Sequence, residues 1–118
     1  EPFQKNLLTG DADAWARMVR EAGHWFELTL GGATYAWVGA ALTECRRLAG
    51  EPAPDLPMLV SLGSHELVVS APAIRERAAS WPAGKLLEIP GGHHEVMFET
   101  PELQQSFLAT FLDLIRSR

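Results

Sequence analysis

Two short apolar runs, 57–62 (Pro-Met-Leu-Val-Ser-Leu) and 85–89 (Lys-Leu-Leu-Glu-Ile), most constrain how this 118-residue chain can fold. Each is the length of a buried strand, and glycines close them at Gly63 and at Gly91-Gly92. The stretch 71–81 between them is patterned as a helix. Pro72 stands in its first turn, and Ile74, Ala78 and Trp81 share one face. After the second run, Thr100 as N-cap and Pro101 at the first position open another helix. Its apolar face is broad: Leu103, Phe107, Leu108, Phe111, Leu112, Leu114 and Ile115. Strand, helix, strand, helix predicts a right-handed crossover and two parallel strands, an α/β class.

The first fifty residues read differently. Asp11 is placed to cap a helix with Trp15, Met18, Val19 and Ala22 on one face, stopped by Gly23. A second helix begins near Thr34, with Val38, Ala41, Leu42, Cys45 and Leu48 along one stripe. Arg46 and Arg47 sit in its last turn, where cations suit the helix dipole, and Gly50 ends it. The stretch 24–32 is irregular. A Pro-rich connector near 50–54 divides the chain into residues 1–50, all helical, and 51–118, alternating strand and helix.

Composition narrows the function classes. The apolar share of 47% belongs to a folded chain, and a net charge of −5 disfavours nucleic acid. No apolar run approaches the length of a membrane span, and no basic segment leads into an apolar signal core. Cys45 is the single cysteine, so no internal disulfide forms, in keeping with a reducing, cytoplasmic setting. The chain opens Glu1-Pro2-Phe3 without a methionine, and residue 1 is expected to lie inside a longer protein.

Parallel strands end at one edge of their sheet, and open α/β sheets bind ligands there. Glu66 lies four residues past Leu62, and His94 five past Ile89, so both are expected at that edge. A carboxylate and a histidine so placed are two members of a Ser-His-acid triad: the acid fixes the tautomer of the imidazole, which takes the nucleophile's proton. His65, Glu66, His93, His94 and Glu95 also supply donor types that suit zinc, but the sequence after His94 lacks the second histidine of His-Glu-x-x-His, and no metal is expected.

Taken in order, these motifs resemble the C-terminal part of an α/β-hydrolase of the lysophospholipase and monoacylglycerol-lipase branch, grouped with serine aminopeptidases. Gly63-Ser64-His65-Glu66 is similar to the Gly-Ser-x-Asp/Glu context of the family's acid, with Glu in place of the usual Asp. Pro90-Gly91-Gly92-His93-His94-Glu95 is similar to the Pro-Gly-x-x-His-Glu context of its histidine, which selects His94 over His93. Asn6, Leu8, Thr9 and Asp11 echo an Asn-x-Leu-Thr-x-Asp stretch in the cap of bacterial members. Residues 31–37 echo Gly-Gly-x-Thr-x-x-Trp. The family's Gly-x-Ser-x-Gly elbow is absent, and Ser64, leading into His65-Glu66, is not an elbow serine.

The resemblance implies a partial α/β-hydrolase fold, with a helical cap over 1–50 and the C-terminal part of the core over 51–118. It implies esterase chemistry through an acyl-enzyme on a lysophospholipid or monoacylglycerol, with no cofactor. Glu66 and His94 would be the catalytic pair, and the nucleophile would stand in a missing N-terminal part. The alternatives are a peptidase or amidase of the same superfamily, or a non-catalytic assembly module with hydrolase-like architecture. Trp25, Phe26, Tyr35 and Trp37 flank the irregular segment and are the candidates to line an acyl-chain site or touch a lipid surface; a small helical core is the plainer reading of most of the aromatics. Cys45, on an apolar stripe, is expected in the core. An incomplete sheet leaves an open strand edge, so self-association is expected.

Overall fold

A computed structural model describes residues 2–116. Six main elements follow one another: helix α1 (Ala12–His24), helix α2 (Tyr35–Ala49), strand β1 (Met58–Gly63), helix α3 (Ala71–Ala79), strand β2 (Gly84–Ile89) and helix α4 (Pro101–Arg116). Short 3-10 turns stand at Phe3–Lys5, Phe26–Leu28 and Val96–Phe98.

The caps account for where the helices begin. Asp11 accepts from the amides of Asp13 and Ala14, Thr34 from Trp37, and Ser70 from Ala73. Each satisfies an amide that has no partner inside the helix. The Thr100 carbonyl accepts from Leu103 and Gln104 at the start of α4. The helix expected over 71–81 stops at Ala79. Trp81 precedes Pro82, whose ring disfavours helical backbone in the residue before it. Its indole N–H donates instead to the Leu56 carbonyl at 2.8 Å, and the Arg77 guanidinium lies 5.4 Å from the ring centre. Arg77 also donates to the Glu51 carbonyl, so the connector is tied back to α3.

β1 and β2 pair in parallel with Met58 opposite Gly84 and Gly63 opposite Ile89, and helices flank them: a two-stranded α/β arrangement. The equal register brings both C-terminal ends level. Leu62, Ala78, Ile89 and Val96 are buried here, with Ala14 from α1. No described helix is long and apolar enough to cross a membrane.

The molecule is open. Its radius of gyration is 16.2 Å, against about 13–14 Å for a compact domain of this length. The looseness lies in α2 and the segment before it. Leu30, Tyr35, Trp37, Leu42 and Leu48 are all exposed. Cys45, expected in the core, is exposed as well. The apolar stripe of α2 lies open over almost its whole length, so its periodicity does not translate into burial. Trp25, Phe26, Tyr35 and Trp37, the candidates for lining an acyl-chain site, are exposed too, while Trp15 and Met18 on α1 are half-buried.

Candidate functional site

The turns that follow β1 and β2 are joined to each other. The Ser64 amide donates to the Ile89 carbonyl at 3.0 Å and the His65 amide to the Gly92 carbonyl at 2.9 Å. In the other direction, the Gly91 amide donates to the Ser64 hydroxyl at 2.8 Å. Two glycines make the join feasible. Gly91 has φ +80°, a conformation that side chains resist. At Gly63 a Cβ would land on the carbonyl oxygens of Gly92 and His93, so only a hydrogen fits between the turns.

This junction puts Glu66 beside His94. Glu66 Oε2 lies 2.7 Å from His94 Nδ1, and Oε1 accepts from the amides of Val68 at 2.6 Å and Val69 at 3.0 Å. The Glu66 side chain is 5% exposed and that of His94 27%. Burial alone would push the Glu66 carboxyl up. The His94 hydrogen bond, the Val69 and Val68 amides and the charge of His94 outweigh it, and hold the group below the usual carboxylate range. An ionised carboxylate only accepts, so His94 Nδ1 carries the hydrogen. Nε2 is thereby left as the basic nitrogen.

The lowered value has a measurable consequence. A carboxyl whose folded-state value is depressed stabilises the fold fully above its unfolded value of about 4.3, and loses that contribution as pH falls through the folded-state value. Urea midpoints of the chain and of Glu66→Gln, measured from pH 6 down to pH 3, should therefore converge as the solution is acidified. A difference between them that is constant with pH would show that the Glu66 charge contributes nothing to folding.

A second histidine–carboxylate pair lies alongside, which sequence reasoning missed. His93 Nδ1 is 3.0 Å from Glu99 Oε1, and Glu99 is 1% exposed. The signal available was weak: an acidic residue just before the Thr100-Pro101 helix start, which reads first as a solvated loop residue. His65 is exposed, and its ring meets that of His93 edge-on at 5.2 Å.

Glu66 and Glu99 are thus each paired with a histidine, and among the described residues no three histidine, cysteine, aspartate or glutamate side chains converge as metal ligands. Trp25, Phe26, Tyr35 and Trp37 are all exposed, Tyr35 at 97%. Trp25 lines an open depression with Arg20, Glu21 and His24 at the end of α1. A groove of about 490 Å³ lies between Pro57-Met58-Leu59 and Phe107, Phe111, Leu114 and Ile115, near the start of β1 and so at the opposite end of the strands from Glu66 and His94.

Among curated proteins, the chain is similar to one from Haemophilus influenzae described as "Probable lysophospholipase L2", with 28% identity over 82 residues. That stretch covers 69% of this chain and 26% of the relative, so the chain spans about a quarter of the protein it matches. No family model matches the chain. No solved structure matches it.

Proposed function

We propose that this chain supplies the acid and the base of a serine hydrolase that cleaves carboxylic esters of the lysophospholipid or monoacylglycerol kind. The observation that carries the reading is the 2.7 Å pair of Glu66 and His94 just past the C-terminal ends of two parallel strands. The similarity to a lysophospholipase supports the substrate class.

In this reading, Glu66 holds His94 with Nδ1 protonated. Nε2 takes the hydroxyl proton of a serine as that oxygen attacks the ester carbonyl, then gives the proton to the departing alcohol. Water repeats the sequence on the acyl-enzyme and releases the fatty acid. The serine and the oxyanion donors belong to sequence outside these 118 residues, in the order serine, acid, histidine. Trp25, Phe26, Tyr35 and Trp37 offer apolar surface for the acyl chain or for the lipid that presents it. The open strand edges and the exposed stripe of α2 favour self-association of the chain by itself.

The test is an extended protein carrying the sequence that naturally precedes Glu1. A fluorophosphonate probe should label one serine, located outside the 118 residues, and the protein should release fatty acid from lysophosphatidylcholine or a monoacylglycerol. The 118-residue chain by itself should neither react nor turn over ester. An extended protein that takes up no probe and cleaves neither lipid would refute the reading.

A further inference from the structure

We infer that Glu99 is a positioning residue for His94, acting by clamping the turn that carries His94 to the N-terminal segment 6–11. The inference rests on the reading of His94 as the base. Glu99 is buried and accepts through both oxygens. Oε1 receives the backbone amide of His93 at 2.7 Å, His93 Nδ1 at 3.0 Å and the Gly10 amide at 3.1 Å, while Oε2 receives the same Gly10 amide at 3.0 Å. A buried carboxylate survives only when such donors replace its water, and these donors come from places 89 and 6 residues away.

His94 sits between two anchored residues. On one side His93 is held by Glu99; on the other, the Glu95 amide donates to the Leu8 carbonyl at 2.8 Å. The segment that receives Glu95 is itself tied together by hydrogen bonds. Asn6 Oδ1 accepts from the amides of Leu8 and Thr9, and its Nδ2 donates to the carbonyls of Phe3 and Thr9. The Thr9 hydroxyl donates to the Phe98 carbonyl at 2.7 Å and accepts from the Asp11 amide at 2.9 Å. The Asn-x-Leu-Thr-x-Asp stretch is therefore the jaw of a clamp, and Gly10 is its contact point: a Cβ there would stand 3.0 Å from His93 Cε1 and 3.3 Å from Glu99 Oε2. The grip reaches the Glu66 side too, because His93 meets the ring of His65, next to Glu66.

Glu99→Gln tests this. The amide keeps the shape but presents N–H groups where the carboxylate accepts, so the Gly10 or the His93 donors lose their partner. The readout is the NMR signal of the His94 Nδ1–H, which the bond to Glu66 shields from exchange with water. Glu99→Gln should abolish that signal although Glu66 and His94 are unchanged. Ala14→Gly, compared at equal folded fraction in urea, should keep it. Persistence of the signal in Glu99→Gln would overturn the inference, and so would its loss in both variants.

If Glu99→Gln does not fold, hydrogen exchange of the unaltered chain decides. The amides of Gly10, His93 and Glu95 and the His94 Nδ1–H should open together, with one denaturant dependence. Separate opening of His94 would overturn the inference. None of these readouts involves turnover. A His94 that keeps its bond to Glu66 and serves no serine would sink the hydrolase reading, and with it any role in catalysis, while these signals would still report the clamp.

Discussion

Gly63→Ala is expected to cost about 3 kcal/mol or more, enough to leave a marginal chain largely unfolded. The reason is geometric. The two turns approach so closely at Gly63 that an added Cβ meets the carbonyls of Gly92 and His93, and backbone atoms cannot swing aside as a side-chain end can. Relief requires separating the turns. That would break the His65–Gly92 and Gly91–Ser64 hydrogen bonds and pull Glu66 from His94. Gly91→Ala is the useful contrast. Its φ of +80° makes the substitution strained, but nothing stands within 4 Å of the new atom, so roughly 1–2 kcal/mol is expected. Urea unfolding of the two variants ranks them. A Gly63→Ala chain within about 0.5 kcal/mol of the parent, the range of an inert surface change, would mean that the turns do not meet as described.

In the proposed complete hydrolase, His94→Ala is expected to lower kcat by about 10⁴–10⁶-fold with little change in KM, since the proton of the serine then has no acceptor. Glu66→Gln should cost about 10⁴-fold. A glutamine can turn an N–H toward Nδ1, which would favour the tautomer whose hydrogen is on Nε2 and so block the base. The doubly altered enzyme should be hardly slower than His94→Ala, because the two residues act as a unit. Steady-state kinetics on a soluble short-chain ester would separate kcat from KM. If His94→Ala retained more than about a tenth of the parental kcat, far above what a lost general base allows, His94 would not be the base.

The parts of this fold that were legible in the sequence are those set by local chemistry. Asp11 and Thr34 cap the helices they precede, and the two apolar runs became the paired strands with ends shifted by at most one residue. The parallel pairing followed from the helix between them, and it brings Glu66 and His94 together. What failed depended on partners. The α2 stripe was visible, but whether anything covers it is not a property of the stripe, so Cys45 was misplaced. The length of α3 was overestimated because Trp81 continued the periodicity, although Pro82 forbade it. Glu99 was missed because its meaning lies in amides supplied by Gly10 and His93, the first of them 89 residues distant. No window of sequence contains that pairing.

The clamp between 6–11 and 93–99 also bears on how such a chain can be altered. An early and a late stretch of the sequence meet there, while the connector at 50–54 is remote from the junction in chain order. Grafting a foreign segment in place of everything before the connector would import helices, but it would also discard Asn6, Thr9 and Gly10, on which the His94 turn rests. A graft that begins after Asp11 keeps them. The interchangeable unit, for a protein engineer or for recombination between genes, starts inside the chain rather than at its beginning.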